Sequence, residues 1–315
     1  MSPKATAEVD ILGVKPVFKI SVEKGLPLFT VLFVSILIQI SISHGGPRKH
    51  EAGIILSQNF ADPDVDAHAF LVRLAGNDKP LIKQREWKRL APASLTKLLT
   101  SVLVVETMTE KETITFSADA KKTAEKTSRA SAGEQFMRDE AIKLAIINSA
   151  NDAALALAEN VGQKFGGLNF NQSLDIFNAL MNEKAIQLGL TDSSFKNPVG
   201  FDEDGHFSTA VDLAKLAEYI WYNHPRVWEI SRITETDVFS VANNEYNLKN
   251  TDDLLNEYPA ILGSKTGFTE KAKGALLLIY PVRPDKAAII VILGSNNRFE
   301  DGRKIINWLE GLSLR

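Results

Sequence analysis

Residues Pro92 to Thr100 read PASLTKLLT and place Ser94 and Lys97 three positions apart, at the head of an apolar run that continues to Glu106 as SVLVVE. The run predicts a helix that is apolar on nearly every side and therefore central to the fold. A lysine one turn into such a helix has two fates. It can snorkel to the surface, or it can stay among Leu98, Leu99 and Val102, where desolvation lowers its pKa. Residues i and i+3 share a face, so a neutral Lys97 amine could take the proton of the Ser94 hydroxyl. Ser94 at a helix N-terminus would also have the positive end of the dipole and free N–H groups beside it.

The spacing S-x-x-K alone carries little weight, because it occurs three times: SVEK at Ser21–Lys24, SLTK at Ser94–Lys97 and SSFK at Ser193–Lys196. Context separates them. Ser21 precedes a long uncharged segment, Ser193 and Lys196 fall in a polar loop where the lysine would be solvated, and only Ser94 opens an apolar helix.

Two further elements follow in the chain. NSANDAA contains Ser149 and Asn151 at a short polar break between two alanine-rich helical stretches, RDEAIKLAIINS and NDAALALAENVG. Such a break can project side chains into a cleft, although taken by itself a pair of helix caps at Ser149 and Asn151 is the stronger reading. The same S-x-N spacing recurs at Ser57 and Ser295. GSKTGFT, Gly263 to Thr269, contains the single K-T-G of the chain, shortly before the apolar stretch GALLLIYPV. Gly267 permits close approach of another backbone, while Lys265 and Thr266 supply a cation and a hydroxyl suited to a carboxylate. A glycine-containing turn at a sheet edge is the plain alternative.

Outward from these elements the chain alternates strands and helices. HAFLVRLAG and KPLIKQR predict a hairpin around Asn77–Asp78. NQSLDIFNALMNEKAIQLGL and STAVDLAKLAEYIW are amphipathic, with Gly189 near the end of the first and Thr209 and Asp212 as a variant capping box in the second. GALLLIYPV and AAIIVILGS predict two apolar strands, and EDGRKIINWLEGL a closing helix. Strand pairs at both ends around a helical middle predict an α+β or α/β domain with a mainly antiparallel sheet.

The chain has 315 residues and a net charge of −3. The mild acidity gives no support for nucleic-acid binding. Absence of cysteine excludes disulfides, thiolate catalysis and cysteine-ligated zinc, and the five histidines form no H-E-x-x-H pair. Residues 1–24 mix charges, and Leu26 to Ile42, LPLFTVLFVSILIQISI, carries none. As a helix this run is about 26 Å long, near the roughly 30 Å of a hydrocarbon core. The expected organisation is a cytoplasmic tail at 1–24, a transmembrane anchor at 25–45, a linker at 46–60 and one domain at 61–315. A cleaved signal peptide is the alternative. The long leader and long apolar run favour the anchor.

S-x-x-K, S-x-N and K-T-G in this order resemble the signature of penicillin-binding proteins and class A β-lactamases. The stretches SAGE (Ser131–Glu134), FKNPVGF, HFSTAVDLAKLAEYI, NTDDLL and GSKTGFTEKAKGALLL are more similar to the D-alanyl-D-alanine carboxypeptidases, the low-molecular-mass penicillin-binding serine peptidases. The likeness spans about Asp66 to Ile306, and no E-x-x-L-N segment of the class A β-lactamases is present.

The resemblance implies a β-lactamase/transpeptidase-like fold, a mainly antiparallel sheet with a helical subdomain. It implies a serine enzyme that removes the terminal D-alanine from peptidoglycan stem peptides ending in D-Ala-D-Ala, with β-lactams as covalent inhibitors. A DD-endopeptidase cutting cross-links and a non-catalytic wall-binding protein are the alternatives. By the same resemblance, Ser94 is the nucleophile, Lys97 the general base, and Ser149 the proton relay to the leaving amine. Asn151 holds the substrate amide, and the backbone N–H groups of Ser94 and Phe268 form the oxyanion hole. Lys265, Thr266 and Thr269 bind the terminal carboxylate, beside Gly267. No metal or organic cofactor is implied. Asp252 stands where the family has asparagine and Lys273 where a glycine is expected, both placed by the resemblance at the cleft rim. The chain ends soon after the catalytic region, which implies absence of the second β-rich domain and C-terminal anchor of many relatives. The N-terminal segment would then hold the protein at the cell membrane, N-terminus inside and catalytic domain outside.

Overall fold

The computed structural model describes residues 61–125 and 127–313. The uncharged Leu26 to Ile42 run, the tail before it and the linker after it lie outside the described residues. Among the described residues, no helix is long and apolar enough to cross a membrane.

Among the described residues, nine strands and nine α-helices follow one another. Strands β1 (Ala67–Leu74) and β2 (Pro80–Gln84) form the expected hairpin. The apolar helix comes next as α1 (Thr96–Thr107). Strand β3 (Thr113–Thr115), helix α2 (Ala118–Thr123) and strand β4 (Gln135–Met137) follow. Helices α3 (Arg138–Ile146), α4 (Asn151–Lys164), α5 (Phe170–Gln187), α6 (Ala210–Asn223) and α7 (Pro225–Ser231) make up the helical middle. The chain continues as β5 (Glu235–Phe239), β6 (Glu245–Lys249), the short α8 (Leu254–Glu257), β7 (Gly263–Thr269), β8 (Lys273–Arg283), β9 (Lys286–Ser295) and α9 (Arg298–Ser313).

The main sheet has the order β2-β1-β9-β8-β7, with every pairing antiparallel. Its central strands are apolar at consecutive positions because both faces are covered. Leu277, Ile279, Ile289 and Val291 join the core shared with the helical middle. Leu276 and Leu278 face α9, where a Cβ at Gly302 would collide with Leu276 at 2.9 Å and touch Leu278 at 3.9 Å. The K-T-G segment is therefore not a turn: it is the middle of β7, an edge strand, paired with β8 at Lys265↔Leu277 and Thr266↔Leu276.

Helix α1 is buried continuously from Thr96 to Val104, as an all-round apolar pattern demands. Its start differs from the sequence expectation. Ala93–Leu95 forms a 3-10 turn and the α-helix begins at Thr96, so Ser94 sits in the turn and Lys97 on the first helical turn. Ala93 adopts φ +48, a strained conformation for a residue with a Cβ. The reason is crowding from two sides. A Cβ at Gly200 would lie 1.9 Å from Ala93 O, and one at Gly267 3.0 Å from Ser94 N. Both glycines are needed where β7 and the loop after Asn197 press on this turn.

Gly189 closes α5 with φ +67. Thr209 Oγ1 accepts from Asp212 N at 3.1 Å, one half of the expected capping box. The Asp212 carboxylate instead reaches the 192–193 loop, accepting from Asp192 N at 2.8 Å and Ser193 Oγ at 2.9 Å.

Candidate active site

The turn before α1, the α3–α4 break and strand β7 converge on one cleft of about 380 Å3. Ser94, Ser149, Asn151, Thr266, Gly267, Phe268 and Thr269 all line it.

Lys97 does not snorkel. Its side chain is wholly buried, and its amine lies 2.8 Å from Ser94 Oγ, 2.8 Å from Asn151 Oδ1 and 2.9 Å from Val199 O. A charged ammonium donates to all three. A neutral amine donates to the amide oxygen and the carbonyl and accepts from the Ser94 hydroxyl, so the surroundings suit either state. Ser193–Lys196, the competing S-x-x-K, lies apart: Lys196 is exposed and Ser193 Oγ donates to Asp212.

The α3–α4 break decides between caps and cleft. Helix α4 has no side-chain cap, so Ser149 and Asn151 are not capping residues. Ser149 holds φ +55, and its Oγ accepts from Lys265 Nζ at 3.0 Å. Strain of this kind in a serine persists only where the surroundings enforce it. Ser295, in the other described S-x-N, donates at 2.5 Å to Asp301 in α9, a local structural role.

On β7, Lys265 and Thr266 are 2% and 4% exposed. The Thr266 and Thr251 hydroxyls lie 2.6 Å apart. Phe268 is 56% exposed at the mouth of the cleft. Thr269 lines the cleft, but its hydroxyl donates to Asp202 Oδ1 at 2.7 Å and accepts from Ala272 N at 2.9 Å. It ties the end of β7 to the 200–205 loop.

Neither departure from the family pattern lies at the cleft rim. Asp252 is 1% exposed and sits behind β7, accepting the Ser264 hydroxyl and, at 3.0 Å, Leu254 N. Burial pushes its carboxyl up, against the lowering effect of the Ser264 hydrogen bond and of nearby Arg298. Lys273 is outside the cleft lining, at the start of β8, and holds φ +56. A glycine is expected there because the turn from β7 to β8 requires a left-handed residue.

Several residues of the site carry no sequence signal. Val199 contributes a main-chain carbonyl to Lys97 from 102 positions away. Arg298 lines the cleft from the start of α9, with its Nε buried and without a hydrogen-bond partner. Nothing in its neighbourhood, SNNRFED, marks it; only the placement of α9 beside β8 brings it there. Thr96, between Ser94 and Lys97, pairs with His206 Nε2 at 3.0 Å.

A family model described as D-alanyl-D-alanine carboxypeptidase (peptidase S11) matches residues 57–297. The chain is 31% identical over 238 residues to the D-alanyl-D-alanine carboxypeptidase DacF of Bacillus subtilis, covering 74% of this chain and 58% of that protein. It is 28% identical over 285 residues to a D-alanyl-D-alanine endopeptidase of Pseudomonas aeruginosa, covering 89% of this chain and 86% of that protein. The chain thus spans about three fifths of the length of the curated carboxypeptidases it matches. In fold it is similar to the crystal structure of the Streptomyces K15 DD-transpeptidase, with a TM-score of 0.74 at 23% identity over 80% of this chain and all of that one.

Proposed function

The chain belongs to the D-alanyl-D-alanine carboxypeptidase family, and on that premise we propose that it is a serine-type D-Ala-D-Ala carboxypeptidase acting on peptidoglycan stem peptides through an acyl-serine intermediate. The observation that carries this reading is the wholly buried Lys97 amine, 2.8 Å from Ser94 Oγ.

Ser94 Oγ attacks the carbonyl of the penultimate D-alanine as its proton passes to a neutral Lys97 amine. The step requires the neutral amine, and the three partners around Lys97 accommodate it. Asn151 Oδ1 and Val199 O orient the amine's remaining hydrogens. Asn151 Nδ2 is then available for the carbonyl of the substrate amide. The tetrahedral oxyanion sits between the N–H groups of Ser94 and Phe268, which Gly267 lets approach each other. Aligned donors of this kind contribute on the order of a hundredfold in rate each.

The C–N bond breaks as the departing amine takes the Ser149 proton; the proton that Lys97 took from Ser94 replaces it on Ser149, which Lys265 holds in place, so Lys97 is again neutral when water attacks. Lys265 and Thr266 bind the terminal carboxylate, and Arg298 adds a second cation at the cleft wall. Thr269 acts through position, by fixing the end of β7. Water then hydrolyses the ester, releasing the shortened peptide and Ser94. β-Lactams would acylate the same serine.

We read the uncharged Leu26 to Ile42 run as a single-pass membrane anchor, with residues 1–24 cytoplasmic and residues 61–315 the extracytoplasmic catalytic domain. The basis is the length and charge pattern of the sequence alone. Intact-mass and peptide-mapping mass spectrometry after penicillin treatment tests both proposals. A penicilloyl adduct on Ser94 and a retained N-terminus are expected. An adduct that survives Ser94→Ala would refute the catalytic assignment, and a mature N-terminus near Ser43 would replace the anchor with a signal peptide.

A further inference from the structure

Two consecutive residues clamp strand β7 around Lys265. The Thr251 hydroxyl lies 2.6 Å from that of Thr266, and Asp252 accepts the hydroxyl of Ser264. Ser264 and Thr266 are alternate positions of the strand and share a face. Lys265, between them, reaches Ser149 Oγ at 3.0 Å. The clamp is itself anchored. Asn250 Oδ1 accepts from Asp252 N at 3.0 Å, and the Asn250 amide donates at 2.8 Å to Ser231 O and to Ile233 O.

Thr251 lines the cleft and Asp252 does not. The Asp252 carboxylate stands behind the residues proposed to bind the substrate's terminal carboxylate. Ser264 Oγ, Leu254 N and the charge of Arg298 all favour its ionised form. Arg298 comes to the same region from α9. Its stem passes the start of β8, where a Cβ at Gly274 would lie 3.1 Å from Arg298 Cβ. Among the described residues no salt bridge joins Asp252 to Arg298, so they meet through a field and not a bond. Burial pushes the Asp252 carboxyl up and the Arg298 guanidinium down, and each charge opposes that effect on the other. A substrate carboxylate held by Lys265, Thr266 and Arg298 therefore enters the field of a second carboxylate. Buried surroundings screen that repulsion weakly. The asparagine that the family pattern has at this position would bring no charge.

We propose that Asp252 is a positioning residue with a second effect: while it clamps β7, its negative charge behind Lys265 and Arg298 weakens their grip on the substrate's terminal carboxylate. Asp252 touches no substrate and acts through the two cations. The inference rests on the acyl-serine reading above. It adds that this site discriminates less between acyl donors with a charged end and donors with a neutral end than the same site would with an uncharged residue at 252. Attack by Ser94 is left as it is, because the charge lies on the far side of β7 from the nucleophile turn.

A neutral replacement can keep the clamp. In Asp252→Asn the amide oxygen can still accept from Leu254 N, while the amide nitrogen donates to the Ser264 hydroxyl, which turns to accept. The test measures kcat/KM at pH 7.5 for the full chain and for this variant on two N-acyl-D-alanyl thioesters. One is the thioester of thioglycolic acid, with a carboxylate where the terminal D-alanine has its own. The other is the methyl ester of the same compound, with none. Thiol release is followed with a chromogenic disulfide. Asp252→Asn should raise kcat/KM for the acid about fivefold or more, as a lower KM at unchanged kcat, and leave the methyl ester within about twofold. Asp252→Ser, a second neutral side chain, should shift the acid-to-ester ratio the same way even where lost packing lowers both rates. A purely structural role for Asp252 would change both substrates alike and leave the ratio level. A ratio that stays level or falls in either variant overturns the proposal. A native chain that hydrolyses neither thioester overturns the acyl-serine reading itself, and the inference with it.

Discussion

Ser149 Oγ lies 3.0 Å from Lys265 Nζ, joining the break before α4 to the edge strand β7 across 116 positions of sequence. Both side chains are almost wholly buried, so the cation beside the hydroxyl acts in a medium where its field is strong. A hydroxyl held by a buried ammonium can release its proton and be resupplied without moving.

If the two act as one relay, their substitutions will not add. Ser149→Ala and Lys265→Met should each slow penicillin acylation by 10^2 to 10^4, the usual range for loss of a proton-transfer group. The double variant should be little slower than the worse single one. Stopped-flow acylation rates for the four proteins give the coupling directly. Additive losses would mean that Lys265 serves the substrate carboxylate alone.

Gly267 is held to glycine by its distance to the nucleophile turn. A Cβ there would lie 2.9 Å from Ala93 Cβ, closer than real contacts allow, and a tight 3.0 Å from Ser94 N. Gly267→Ala should push Ser94 away from the β7 main chain and lower the acylation rate about a hundredfold, since displacements of about 1 Å cost that much. The stability loss should be about 1–3 kcal/mol, as for other overpacked sites. Acylation at the wild-type rate would show that the oxyanion donors do not depend on this approach.

What the sequence discloses and what it hides divide along physical lines. Helices and strands follow from periodicity, and Ser94 and Lys97 are legible because three residues of helix put them on one face. Gly267 is legible as a position where another backbone comes close, whereas Lys273 stands out only as a departure from the family pattern, and its left-handed backbone is visible only in the structure. By contrast, S-x-N fits helix caps as well as a cleft, and only the left-handed backbone of Ser149 separates the two. Val199 acts through a carbonyl, which every residue possesses. Arg298 reaches the cleft only through packing between distant elements. Asp252, read from the sequence as a rim residue, proves to be an interior partner of Ser264.

Lys273 offers a test of that backbone argument. It holds φ +56 and carries only a surface ion pair to Glu270 at 3.6 Å, which contributes little. Lys273→Gly removes the left-handed strain, worth about 1–2 kcal/mol, and returns part of it as unfolded-state entropy. The net expectation is about 0.5–1 kcal/mol of added stability, a rise of about 2 °C in melting temperature. Lys273→Ala keeps the Cβ and should give no gain. Equal gains in both variants would place the effect in the lost charge and not in the backbone.

His206 sets a pH limit on the domain. Its Nδ1 accepts from Lys196 N at 3.2 Å, so Nε2 carries the proton toward Thr96 Oγ1 at 3.0 Å. The buried ring is held neutral, its pKa lowered from 6.5 to about 4 chiefly by burial, with Asp202 opposing and Lys196 assisting. A depressed histidine pKa means that the unfolded chain binds a proton the folded chain refuses. This stabilisation is therefore complete above pH 6.5 and is lost as pH falls toward 4. At about 1.4 kcal/mol per pH unit the loss approaches about 3 kcal/mol. Carboxylates whose pKa is lowered in the folded state, such as Glu134 at about 2, lose their contribution mainly below that window. Urea midpoints measured at pH 7, 5.5 and 4.5 should fall for the wild type. For His206→Gln, which can donate to Thr96 and has no proton to gain, the profile should be flatter across the same window. Parallel profiles for the two proteins would show that the acid sensitivity lies elsewhere.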